Sequence, residues 1–156
     1  RELEGLIDIY LPDMKYSNES LAAKLSCAPD YVETAKAAIQ EMYRQVGSAA
    51  IEDDIMQRGL IVRHLMLPGE LDNTLGVLDW FAETFPKGDV LFSLMSQYVP
   101  MGKAKKLPPY NRKITEEEYD AAISYLEFLG IESGFTQDFT SATEDYIPDF
   151  SFEGLE

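Results

Sequence analysis

Leu60-Ile61-Val62-Arg63-His64-Leu65-Met66-Leu67-Pro68-Gly69 is apolar on both alternating faces until Pro68-Gly69 ends it. A strand with one face in water alternates apolar and polar residues. A nearly continuous apolar run instead predicts a strand covered on both faces, as in a parallel sheet. Arg63 breaks the run: a guanidinium there needs a carboxylate, a phosphate or a ligand to offset its desolvation. His64 has the opposite parity and faces the other side, where a hydrogen-bonded buried imidazole is the expected role rather than a catalytic base.

Upstream, the β-branched and aromatic run Leu6 to Leu11, stopped by Pro12, predicts a strand that delivers Asp13, Met14 and Lys15 at its carboxyl end. Ser17-Asn18-Glu19-Ser20 leads into a short helix through Leu25. A longer helix, opened by Pro29, carries Tyr31, Ala35, Ala38, Ile39, Met42 and Val46 at helical spacing and stops at Gly47. Downstream, Asp72 is the expected cap of a helix bearing Leu75, Leu78, Trp80, Phe81 and Phe85, followed by a strand over 90–95. Thr115 and Glu118 form a T-x-x-E capping box for a helix that ends at Gly130, and a short fourth strand is expected within 131–137. Alternating strands and helices with apolar strands imply an α/β chain with parallel pairing, either a small open sheet or part of a larger barrel. Residues 1–137 form the folded unit, and 138–156 an acidic, loosely docked tail with six carboxylates and no basic residue.

The 156 residues hold 28 acidic and 13 basic side chains, a formal net charge of -15, which repels nucleic-acid phosphates and anionic lipid. The one cysteine, Cys27, forms no internal disulfide, builds no metal centre, and is expected to be half-buried rather than nucleophilic. The sequence contains no long apolar run and no signal-peptide pattern, so a cytoplasmic protein is expected. A first residue other than methionine, just ahead of a strand, suggests a piece of something longer.

In parallel α/β folds ligands gather beyond the carboxyl ends of the strands. Those ends offer Asp13 and Lys15, two apart and so on one face, then Arg63, and Ser96, Gln97 and Tyr98. A carboxylate beside two cations suits an anionic or zwitterionic ligand, although Asp13 and Lys15 are equally able to close the strand end by pairing with each other. Residues 103–113 concentrate Lys103, Lys105, Lys106, Arg112 and Lys113, either a solvated loop or a surface for an acidic partner.

Taken together, Tyr10-Leu11-Pro12-Asp13-Met14-Lys15, Val62-Arg63-His64-Leu65-Met66-Leu67-Pro68-Gly69 and Ser93-Leu94-Met95-Ser96-Gln97-Tyr98-Val99-Pro100 resemble the carboxyl-terminal half of radical S-adenosylmethionine proteins, nearest to homologues of pyruvate formate-lyase activating enzyme. The resemblance implies the C-terminal part of an incomplete (βα)6 TIM-like barrel with parallel strands. It also implies S-adenosylmethionine and a [4Fe-4S] cluster in the intact parent, an oxidoreductase. The C-x-x-x-C-x-x-C cluster loop of that family is missing here, so its ligands belong to a missing N-terminal half and the isolated chain is expected to be inactive. By the same resemblance Asp13 lies by the cofactor carboxylate and a monovalent cation, Lys15 reaches ligand or substrate peptide, and Arg63 contacts the cofactor. Tyr98, at the end of the third strand, is the fourth expected cofactor contact; it stands near a position where the activating enzymes have histidine, a departure that suggests a different substrate.

Two other readings remain at this point: a small complete enzyme using Lys15 as a Schiff-base lysine, and a noncatalytic acidic interaction domain. The expected partners are the missing half and a protein or peptide substrate, with no nucleic acid or membrane. Unpaired sheet edges predict self-association of the isolated chain.

Overall fold

The structure, a computed structural model, describes residues 2–131 and the backbone of 135–136. In chain order it contains β1 (Ile9–Tyr10), α1 (Glu19–Ser26), α2 (Tyr31–Val46), β2 (Ala50–Glu52), β3 (Ile55–Leu65), α3 (Leu71–Thr84), β4 (Leu91–Met95), a 3-10 turn (Gly102–Lys106), α4 (Glu116–Phe128) and β5 (Phe135–Thr136). The acidic segment 138–156 lies outside the described residues.

The sheet runs β1-β3-β4-β5 with parallel pairing at each step, while β2 lies antiparallel against the start of β3. Every crossover along β1, β3, β4 and β5 advances the same way across the sheet, so right-handed connections bring the helices to one face. Burial follows: Leu60, Val62, His64 and Met66 are buried, whereas Ile61, Arg63, Leu65 and Leu67 are partly open. On the covered face Val62, Phe92 and Leu94 share one core with Ile39, Leu78, Phe81 and Leu126.

This corrects the expected fold. A five-stranded mixed sheet stands in place of a parallel portion of a (βα)6 barrel, and among the described residues the apolar run of β3 is not covered on both faces. The cause is local. Asp53 and Asp54 sit at φ 49° and 63°, the two positive values that a tight hairpin between right-twisted strands requires, and Glu52 pairs directly with Ile55. Aspartate tolerates this region because its short carboxylate can bond the local backbone. The chain thus doubles back before β3, which begins at Ile55 rather than Leu60. Gly59 completes the bend at φ 135°, where a Cβ would stand 2.6 Å from Met56 Cε and 2.9 Å from the Ala49 backbone.

The helix ends explain themselves chemically. Asn18 accepts the Ser20 and Leu21 amides to start α1. Asp72 does not cap α3; Glu70 is the N-cap and Asp72 lies in the first turn, where a negative charge still favours the helix dipole. Thr115 accepts the Glu118 amide at 3.2 Å and Glu118 accepts the Thr115 amide at 2.8 Å, closing the capping box of α4. Thr115→Ala is expected to cost about 1 kcal/mol in urea unfolding and Thr115→Ser close to nothing, since only the hydroxyl is needed.

Candidate functional site

β1 ends at Tyr10, and after Leu11-Pro12 the pairing resumes as a parallel bridge between Asp13 and Arg63. The Arg63 amide bonds the Pro12 carbonyl at 2.9 Å and the Met14 amide bonds the Arg63 carbonyl at 2.8 Å. That register puts the two side chains abreast on the half-open face. Arg63 Nη2 lies 2.7 Å from Asp13 Oδ1, and Lys15 Nζ donates to Asp13 Oδ2 at 3.0 Å. The structure therefore gathers Asp13, Lys15 and Arg63 into one cluster at the carboxyl ends of β1 and β3.

The backbone beneath this cluster is held at nearly every polar group. The Tyr31 hydroxyl accepts the Lys15 amide at 2.9 Å and donates to the Asp13 carbonyl at 3.0 Å. Asn73 Nδ2 donates to the Lys15 carbonyl at 3.0 Å, and Asn73 Oδ1 accepts the Ser17 amide at 2.8 Å. His64 Nδ1 donates to the Met14 carbonyl at 2.7 Å, which leaves Nε2 to accept the Thr74 hydroxyl at 3.0 Å. Burial holds His64 neutral, lowering its pKa to about 4. Tyr31, Asn73 and His64 thus fix a strand end that has run out of ladder partners.

The cluster itself is less complete. Asp13 Oδ1 and Arg63 Nε are buried and make no aligned hydrogen bond; Oδ1 is met by Arg63 Nη2 as a 2.7 Å charge contact, which leaves Nε without a partner. The side chains of Asp13, Arg63 and Lys15 are 32%, 40% and 53% exposed, and ion pairs this open contribute about 0–1 kcal/mol each. A buried unsatisfied polar atom costs about 1–3 kcal/mol. Stability alone does not account for the arrangement, whereas a ligand that supplies an acceptor for Arg63 Nε does.

Tyr98 does not join them. Its hydroxyl donates to the Tyr110 carbonyl at 2.8 Å and anchors the loop that follows β4. Tyr110 in turn is bonded to Glu70, and its hydroxyl accepts Lys24 Nζ at 3.3 Å. Ser96 is buried with an unpartnered hydroxyl, but its parity along β4 places it on the helix-covered face, away from Arg63. Lys15, half-exposed and bonded to Asp13, lacks the burial on which a Schiff-base role relies. Cys27 is exposed rather than half-buried, at φ 54° where α1 ends. A cleft of about 440 Å³ opens between Asn18, Lys24, Glu70 and Asp72 and excludes Asp13, Lys15 and Arg63; Asn18, Lys24 and Glu70 are already engaged within the fold. Among the described residues no three His, Cys, Asp or Glu side chains converge on a metal-sized space, and no helix is long and apolar enough to cross a membrane.

An uncharacterized protein of Methanocaldococcus jannaschii is 31% identical over 131 residues, which cover 83% of this chain and 34% of the relative. The chain therefore spans about a third of the length of the relative it matches. No family model matches the chain, and no solved structure does.

Proposed function

We propose that this chain is the ligand-positioning portion of a longer radical S-adenosylmethionine protein, akin to glycyl-radical-enzyme activases, and that Asp13, Lys15 and Arg63 hold the amino-acid end of the cofactor. The observation carrying the reading is the buried Arg63 Nε, which has no acceptor, beside the Asp13 carboxylate at the strand ends. A methionyl group is zwitterionic. Its carboxylate accepts from Arg63 Nε, and its ammonium, or a monovalent cation, meets the Asp13 carboxylate. Lys15 then neutralises the second carboxylate oxygen and stands at the solvent edge of the cluster, where a protein or peptide substrate would reach it.

The cofactor pair, when bound, supplies hydrogen-abstraction chemistry by one-electron cleavage of the sulfonium. The residues fit the sulfonium amino acid but not the cluster, because Cys27 is the one cysteine and stands alone on the surface. Iron ligands belong in this reading to the remainder of the longer protein, in the cytoplasm. That remainder also covers the open sheet face, where Leu11 is 50% exposed and Ile61, Leu65 and Met95 are half-buried. Exposed apolar residues on a parallel sheet favour such a cover. The relative, about three times longer than the matched segment, leaves room for it.

Thermal unfolding with S-adenosylmethionine tests the reading. Ligand at ten times its Kd adds about 1.4 kcal/mol, a rise of about 3–6 °C for a chain of this size. The shift is expected in the unaltered chain and lost in Arg63→Gln and Asp13→Asn. No shift at millimolar ligand, or an equal shift in both variants, contradicts it.

A further inference from the structure

We infer that the 3-10 turn Gly102–Lys106 is a docking surface for the chain's own acidic segment 144–153. This inference is independent of the cofactor reading.

Lys103, Lys105 and Lys106 are exposed, and none has a carboxylate partner among the described residues. Elsewhere Arg44 is paired with Glu4 and Glu41, Arg63 and Lys15 with Asp13, and Arg112 with Glu118. Three unpaired ammonium groups within four residues are conspicuous on a chain of net charge -15. In a 3-10 turn residues three apart eclipse, so Lys103 and Lys106 project from one edge. Met101, 50% exposed, and Leu107, 46% exposed, flank them with apolar surface. The platform is fixed in place. Tyr98 bonds the Tyr110 carbonyl, a Cβ on Gly69 would stand 2.6 Å from Pro109 Cγ, and Arg112 clamps Glu118, which also accepts the Gly69 amide at 2.7 Å.

The complementary surface is in the same sequence. Glu144-Asp145-Tyr146-Ile147-Pro148-Asp149-Phe150-Ser151-Phe152-Glu153 interleaves four carboxylates with aromatic residues and has no basic side chain. Carboxylates suit the lysines, and the aromatic rings suit Met101 and Leu107. Topology brings the two together. β5 is parallel to β4, pairing Ser93 with Phe135 and Leu94 with Thr136, so the chain leaves β5 at the same end of the sheet at which β4 enters the basic loop. Neighbouring strands lie about 4.8 Å apart, and residues 137–143 span up to about 23 Å when extended. A tether this short gives an effective concentration of order millimolar, enough for weak ion pairs to hold the segment.

Zero-length carbodiimide cross-linking of the full 156-residue chain at low salt, followed by peptide mapping of the monomer, is the test. Lys15 and Asp13, 3.0 Å apart, serve as the internal control for coupling. The expected products are amides from Lys103, Lys105 or Lys106 to Glu144, Asp145, Asp149 or Glu153, suppressed several-fold at 0.5 M salt, about the ionic strength at which exposed charges are screened within a few ångströms. In Lys103→Gln/Lys105→Gln/Lys106→Gln the segment is expected to leave no new product on another lysine. Absence of these amides while Lys15–Asp13 couples overturns the inference. So does coupling of the segment mainly to Lys36 or Lys87, or coupling confined to species of dimer mass, which would assign the segment to a second copy.

Discussion

Phe92→Ala is expected to destabilise the chain by about 3–5 kcal/mol, the range for removing a fully buried aromatic side chain and leaving a cavity. Phe92 is 0% exposed in β4, the strand paired on both sides, and its ring meets Phe81 edge-on at 4.9 Å. Phe81 continues through Phe85 to Trp80 and Tyr43, so the cavity would open inside one aromatic cluster that ties α2 and α3 to the sheet. Domains are stable by about 5–15 kcal/mol, so this loss is a large share of the total. Urea unfolding should show a lower midpoint at unchanged slope, with Phe92→Leu losing clearly less. A loss below about 1 kcal/mol in Phe92→Ala would mean that β4 is not central to the core.

Mild acid is expected to act through His64. Its folded pKa of about 4 lies below the ordinary value of 6.5 because burial disfavours the imidazolium. The unfolded chain therefore binds the proton first. The stabilisation is fully present above about pH 6.5 and is lost as pH falls toward 4, with about 2 kcal/mol gone between pH 7.5 and 5. Glu118, held down at about 2 chiefly by its hydrogen bonds to Arg112, adds a further loss only below about pH 4.5, so the two windows separate. Unfolding free energy measured against pH should fall between 7.5 and 5 in the unaltered chain and flatten in His64→Gln. An unchanged slope in the variant would show that another group carries the dependence. The added proton falls on Nε2 and ends its acceptance of the Thr74 hydroxyl, whereas the Nδ1–H bond to the Met14 carbonyl favours the charged ring.

Much of this arrangement was legible in residue order. The apolar run around Arg63, the helical spacing from Tyr31 to Val46 and the Thr115–Glu118 box each express a local rule that the fold obeys. The parity of Arg63 and His64 separated the open face from the covered one. What escaped has physical reasons. Asp53-Asp54 is a weaker turn signal than Asn-Gly, because aspartate enters the left-handed region only with help from its carboxylate, and the hairpin it makes turns a parallel sheet into a mixed one. Tyr31 and Asn73 each act through a pair of hydrogen bonds to backbone 16 and 18, and 56 and 58, residues away, which no spacing rule anticipates. The position of Tyr98 beyond the end of β4 suggests a cofactor contact, but the turn after Ser96 carries its hydroxyl to Tyr110.

Titration of the ¹⁵N-labelled chain with S-adenosylmethionine tests the central claim most directly, because amide shifts report position as well as affinity. The account predicts saturable shifts concentrated at residues 13–15 and 63–65, absent in Arg63→Gln. Shifts confined to the cleft between Asn18 and Asp72, or none at millimolar ligand, would contradict it.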